Sequence, residues 1–313
     1  MIIIRPRDIP PNELTATEAV LTDSNVAADD APEWDSGTTY DTGDQVIVLG
    51  TVQRVFESLI DTNTGNQPED SPDDWLDLGF INRWRMFDGG TSTITSNSES
   101  IEVTLEPDGF VNAIAFFTLD ASEIEIDVEQ DGDFVYSESV IIPLETSAPN
   151  WYSYFFETFG AQFRDTVALN IPPVPEPVIT IKMNRPGASP GVGLILVGRQ
   201  QTLGATTYGS SVSIQDFSIK EADQFGNPRV VERNFIKRAD LDVRLNTPDV
   251  ARVQRILAEL RAEATVYIGS VNSCLFCTDP IHGETILYGY YRDFDILLQD
   301  KVSSQATIEI EGL

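Results

Sequence analysis

The sequence predicts a mainly β chain that closes with a small α+β domain. Three observations predict it. Short runs of β-branched and aromatic residues recur from Ser100 to Val197, each bounded by Gly, Pro, Asn or Asp. Glu123-Ile-Glu-Ile-Asp-Val128 alternates with a strict period of two. Helical spacing of apolar residues stands out in one place, at Val250, Val253, Ile256, Leu257 and Leu260. A chain of 313 residues with 41% apolar content supplies more than one core. The expected order is an arm over residues 1–32, a small β-meander cassette over 33–80, an antiparallel jelly-roll-like β-sandwich over 81–228, and one helix on an antiparallel sheet over 229–313.

In the arm, Ile2 to Ile4 can add a strand to a neighbouring sheet, and Asn12 to Pro32 reads as an extended or partly helical lead-in that contacts something else. The apolar run is too short for an export signal, and no segment approaches the ~20 apolar residues of a membrane span. The cassette opens and closes on a tryptophan. Tyr40 precedes the turn Thr42-Gly-Asp44, Val46 and Val48 alternate on one strand, and Val55 and Phe56 begin the next. A unit this small needs every large apolar group inside. Trp34, Tyr40, Val46, Val48, Phe56 and Trp75 are therefore its expected interior, with Asp44 in the turn completing the scaffold.

Sandwich strands are expected at Ser100–Leu105, Val111–Leu119, Glu123–Val128, Phe134–Ile142, Val178–Met183 and Leu194–Val197, with no competing helical period from Arg83 to Val197. Trp84, Met86 and Phe87 seal one end. Asp131-Gly-Asp133 reads as a hairpin turn, with calcium binding the alternative. Trp151, Tyr152 and Tyr154 belong to a dense aromatic stretch, NWYSYFFETFG. They are either core or exposed rings for a glycan or a partner. Further on, Thr247 is the expected N-cap and Pro248 the first residue of an amphipathic helix, flanked by strands at Asp240–Leu245, Thr265–Gly269, Thr285–Arg292 and Ser304–Glu311.

The formal charge of −30 is uneven: 17 acids and 3 bases in residues 1–80, 17 and 6 in 81–200, and 16 and 11 in 201–313. Such a surface repels nucleic acid and anionic lipid, so neither is an expected partner, and no membrane insertion is expected. Cys274 and Cys277 form a lone Cys-x-x-Cys near His282, the single histidine. A loop disulfide or two buried thiols explains them better than a metal, which needs four ligands. Nucleophile elbows, phosphate loops and histidine clusters are missing from the sequence, and no carboxylate pair stands out among 50 acids. No catalytic, cofactor or metal residue is assigned.

The cassette pattern of Trp, Tyr-x-x-Gly-Asp-x-Val, aromatic-Glu strand and closing Trp resembles chitin- and cellulose-binding modules. Where that family places two exposed rings, this chain has Leu59, Ile60 and Asp61. A wider resemblance is carried by LGATTYGSSVSIQDFSIKEADQFGNPRVVER (Leu203 to Arg233), Ser24-Asn25-Val26, Trp84-Arg-Met-Phe-Asp88, Tyr288-Gly-Tyr-Tyr-Arg-Asp-Phe294 and Ile310-Glu-Gly-Leu313. In their order along the chain the motifs resemble tail-associated structural proteins of tailed double-stranded DNA bacteriophages. The resemblance implies a virion tail component at the tip, baseplate or collar, made in the host cytoplasm, with other tail proteins and copies of itself as partners. On this reading the C-terminal domain assembles and the acidic cassette faces outward. A glycan-binding adhesion protein that contacts host surface polysaccharide is the alternative.

Overall fold

The computed structural model describes residues 1–16, 19–142, 164–207, 209–222, 228–269 and 285–313. The first strands are β1 (Ile2–Pro6), β2 (Leu21–Ser24), β3 (Thr39–Tyr40), β4 (Gln45–Val48), β5 (Arg54–Ser58), β6 (Asn63–Thr64) and β7 (Trp75–Phe80), followed by the single-turn helix α1 (Asn82–Arg85). Then come β8 (Thr95–Ser96), β9 (Ser100–Leu105), β10 (Ala113–Leu119), β11 (Glu123–Gln130), β12 (Asp133–Ile141), β13 (Arg164–Leu169), β14 (Val178–Asn184), β15 (Gly191–Val192) and β16 (Leu194–Thr202). The remainder is β17 (Ala205–Thr206), β18 (Ser211–Asp216), β19 (Ile219–Ala222), β20 (Pro228–Val231), β21 (Phe235–Asn246), helix α2 (Val250–Glu259), β22 (Thr265–Ile268), β23 (Ile286–Leu298) and β24 (Ser303–Gly312). The chain is mainly β, as its periodicity predicts, and divides into two compact units. One comprises Arg7–Asp165 and Ile171–Leu196; the other comprises Met1–Pro6, Thr166–Asn170 and Val197–Leu313.

The first unit holds an antiparallel sheet in the order β12-β11-β14-β9-β2. Its alternating residues Ile101, Val103, Leu105, Ile124, Ile126, Val128, Ile179, Ile181 and Met183 are all at most 1% exposed. Each such side chain contributes roughly 1.5–3 kcal/mol by leaving water, and together they fix the register. β10 is buried at every position but Thr118, so it is covered on both faces. Asp131 and Gly132 both have positive φ and link Gln130 to its partner Asp133, which is the two-residue turn that Asp-Gly favours.

The lead-in belongs to this unit. β2 pairs with β9, and Asn25 prolongs the ladder with its side chain: Nδ2 donates to the Ser100 carbonyl at 3.1 Å and Oδ1 accepts from the Glu102 amide at 2.8 Å. Farther along, the Asp30 carboxylate accepts the Asn82 amide at 3.0 Å and Arg85 Nη2 at 3.1 Å. Helix α1 departs from the all-strand expectation for this stretch, because a single turn is too short to leave a 3.6-residue period. Its Trp84 is buried, meets Phe87 edge to face at 5.9 Å, and is followed by a fully buried Met86.

In the second unit β1-β22-β23-β24-β21 form one antiparallel sheet, and the end of β16 pairs with β1 on the other side. Ile2 to Ile4 thus add a strand to a sheet formed far along the chain. Gly198 is required there, since a Cβ would stand 2.2 Å from the Arg5 carbonyl oxygen. Helix α2 buries Val253 and Leu257, with Leu260 just beyond, against Leu241, Val243, Leu245, Ile308 and Ile310. The helix start corrects the expected cap. A 3₁₀ turn over Thr247–Asp249 precedes α2, its N-cap is Asn246, and the Thr247 hydroxyl instead donates to the Asp300 carbonyl at 2.8 Å. The α-helical part is consequently ten residues, shorter than the four turns expected.

Candidate interaction surfaces

Within the cassette β4, β5 and β7 form a three-stranded sheet beside the β3–β6 pair. Tyr40, Val46, Phe56 and Trp75 make its buried cluster, with Trp34, Val48 and Val52 packed against it. Tyr40 meets Trp75 edge to face at 5.4 Å, accepts the Asp35 amide on its hydroxyl at 2.8 Å, and Trp75 Nε1 donates to the Asn66 carbonyl at 3.0 Å. These rings are occupied in holding the fold and offer no flat platform. Asp44 accepts the Asp41 amide at 2.7 Å, which closes the Thr42-Gly43 turn.

Two carboxylates then staple that turn to the loop after β5. Asp61 accepts the Thr42 amide at 3.1 Å, and Asp41 accepts the Thr62 amide at 3.2 Å. The Thr42 amide holds the Asp61 carboxyl below the usual carboxylate range. Leu59 and Ile60, beside Asp61, are exposed aliphatics. Leu76 and Leu78 on β7 are exposed as well. Aliphatic side chains supply apolar area without an aromatic face for a sugar ring.

Trp151, Tyr152, Tyr154, Cys274, Cys277 and His282 lie outside the described residues. Among the described residues no group of three or more His, Cys, Asp or Glu side chains is placed to hold a metal ion. The carboxylates with lowered pKa cap turns. Lys220 and Ser218 hold Asp216 well below the ordinary range, and the amides of Ser303 and Val302 do the same for Asp300.

The C-terminal unit carries a further set of exposed apolar side chains. β18 pairs with the first half of β21, and the same two chain segments continue outward as the β19–β20 pair. This two-stranded ribbon leaves Ile214 63% exposed and Phe235 55% exposed, with Val212, Phe217, Val230 and Val231 also open. Strand alternation in Ser211–Ile219 is legible in the sequence; its exposure is not, because period two reads identically on a covered strand and an uncovered one. At the opposite end of the sheet the β23–β24 turn exposes Leu297, Leu298 and Val302. On α2 and the turn after it, Arg255 and Arg261 have no acidic partner among the described residues, whereas Arg5 is held by Glu263 at 2.8 Å.

No family model matches the sequence, and no curated protein matches it. Among solved structures, an F5/8 type C domain of a Bacteroides fragilis protein is similar over 38% of this chain and 82% of that domain, at 14% identity and a TM-score of 0.26. At that score the likeness decides neither fold nor function.

Proposed function

We propose that this chain is a non-catalytic structural component of a bacteriophage tail, at the tip, baseplate or collar, which assembles through its C-terminal unit and displays its β modules outward. One observation carries the assembly reading: in a chain of net charge −30, exposed apolar side chains gather on the ribbon of β18–β21 and β19–β20 and at the far turn of the same sheet. A two-stranded ribbon alone is marginally stable in water, and an uncovered strand edge pairs readily with another chain. The tail assignment itself is supported by the order of the sequence motifs. Quantitative mass spectrometry of purified particles encoding this chain, with immunogold labelling, tests the reading. Stoichiometric copies located on the tail are expected; absence from particles overturns it.

A further inference from the structure

We propose that copies of this chain join head to tail by sheet continuation, the outer edge of β18 in one copy pairing with the uncovered half of β23 in the next. The inference rests on the assembly reading and specifies its contact.

The two edges bound a single block of strands, β18-β21-β24-β23, and every neighbouring pair within it is antiparallel. Among the described residues β18 pairs with β21 on one side only. β23 pairs with β22 over Ile286–Ile268 through Gly289–Thr265, so beyond Gly289 its second side has no strand beside it among the described residues. The uncovered length, Tyr290 to Leu298, has a register shift between Tyr291 and Asp293, and its regular run from Asp293 to Leu298 is six residues, about 20 Å of strand. That is enough to seat all of Ser211–Asp216.

Strand parity favours a second copy as the occupant. Four antiparallel strands end with β18 and β23 pointing in opposite directions. A neighbour in the same orientation therefore presents its β18 antiparallel to this β23, and the ladder continues without a reversal. The faces agree as well. Val212 pairs with Ala239 and Ile214 with Lys237, which places both on the side of the sheet that α2 covers. Phe294, Ile296 and Leu298 pair with Ile308, Ala306 and Ser304 and occupy that same side. Joining the edges brings these side chains onto one apolar face.

Charge permits the contact here and opposes it elsewhere. Residues 211–237 hold four acids (Asp216, Glu221, Asp223, Glu232) and four bases (Lys220, Arg229, Arg233, Lys237), a net charge of zero in a chain of −30. β18 also lacks the devices that normally blunt an edge, having no proline, lysine or bulge. Because the two joining surfaces differ, the contact is heterologous and generates a ring or an open series rather than a two-fold pair.

The test uses the full chain and two substitutions at exposed positions, Ile214→Asp and Leu298→Asp, followed by light scattering after size exclusion and by native mass spectrometry. The parent is expected as an assembly of three or more copies. Each variant should be monomeric, with its dissociation constant raised at least about 30-fold and with unchanged circular dichroism and melting. Mixed together, the variants should form a one-to-one dimer and stop, because one has an intact β23 edge and the other an intact β18 edge. A monomeric parent, a two-fold dimer, variants that still assemble, or a mixture that stays monomeric would each overturn the proposal. If the parent occurs in particles while the variants still assemble, the tail reading stands and the edge pairing falls. If the edges pair but the chain is absent from particles, the reverse holds.

Discussion

Tyr267 is fully buried in the C-terminal core, and burial pushes its phenol up to about 12. The unfolded chain ionises this group near pH 10, so the folded form holds the proton more tightly. Stability from this source is complete below about pH 10 and is lost as pH rises toward 12, by up to about 1.4 kcal/mol per pH unit. Tyr267→Phe removes the ionisation while keeping the ring. The variant should therefore melt at a higher temperature than the parent at pH 11 and above, with the two converging near pH 8; curves that superimpose throughout would contradict this. Gly289 shows a different constraint at the same scale, since a Cβ there would lie 2.1 Å from the Glu311 carbonyl oxygen on the paired strand. Only backbone fits between β23 and β24 at that point.

Among the elements, α2 was legible because Val253 and Leu257 must share a face to be buried, and that requirement writes itself into spacing. Its start was not. Thr247 has the chemistry of a cap, but the carbonyl that recruits its hydroxyl belongs to Asp300, 53 residues away, and local sequence carries no trace of it. The cassette interior was legible for the opposite reason: with so few residues, rings such as Tyr40 and Trp75 have nowhere else to go. The role of Asp61 was hidden, since nothing nearby in sequence reveals that it accepts the Thr42 amide. This bears on sugar binding. The cassette should show no retention on crystalline chitin or cellulose, and rings should be installed at Leu59 and Ile60, leaving Asp61 to hold the turn. Leu59→Trp with Ile60→Trp should produce weak retention measurable by depletion assay, whereas Asp61→Trp should lower the melting temperature. Retention of the parent protein, lost on mutating Leu76 or Leu78, would show that another face of the cassette binds sugar.

For the whole molecule, charge opposes the association proposed for the C-terminal sheet. Residues 1–80 carry −14, from 17 acids and 3 bases, and every added copy brings that charge with it. Raising ionic strength from about 0.01 M to 0.1 M shortens the Debye length from about 30 Å to about 10 Å, so assembly should strengthen over that range in sedimentation velocity runs. Weakening would instead mean that opposite charges meet at the junction. The hydrogen bond between Asp30 and Asn82 has a consequence for how such a chain comes to exist. β2 before it and β9 after it are neighbours in one sheet, so the whole cassette leaves and rejoins the sandwich at a single point. A recombination event that acquired or discarded residues 33–80 would leave that sheet whole, and a lineage could exchange this module without refashioning its host domain. Loss of everything before residue 81 would instead strip β2 from β9 and bare a sheet edge, a route that inheritance would not tolerate as easily.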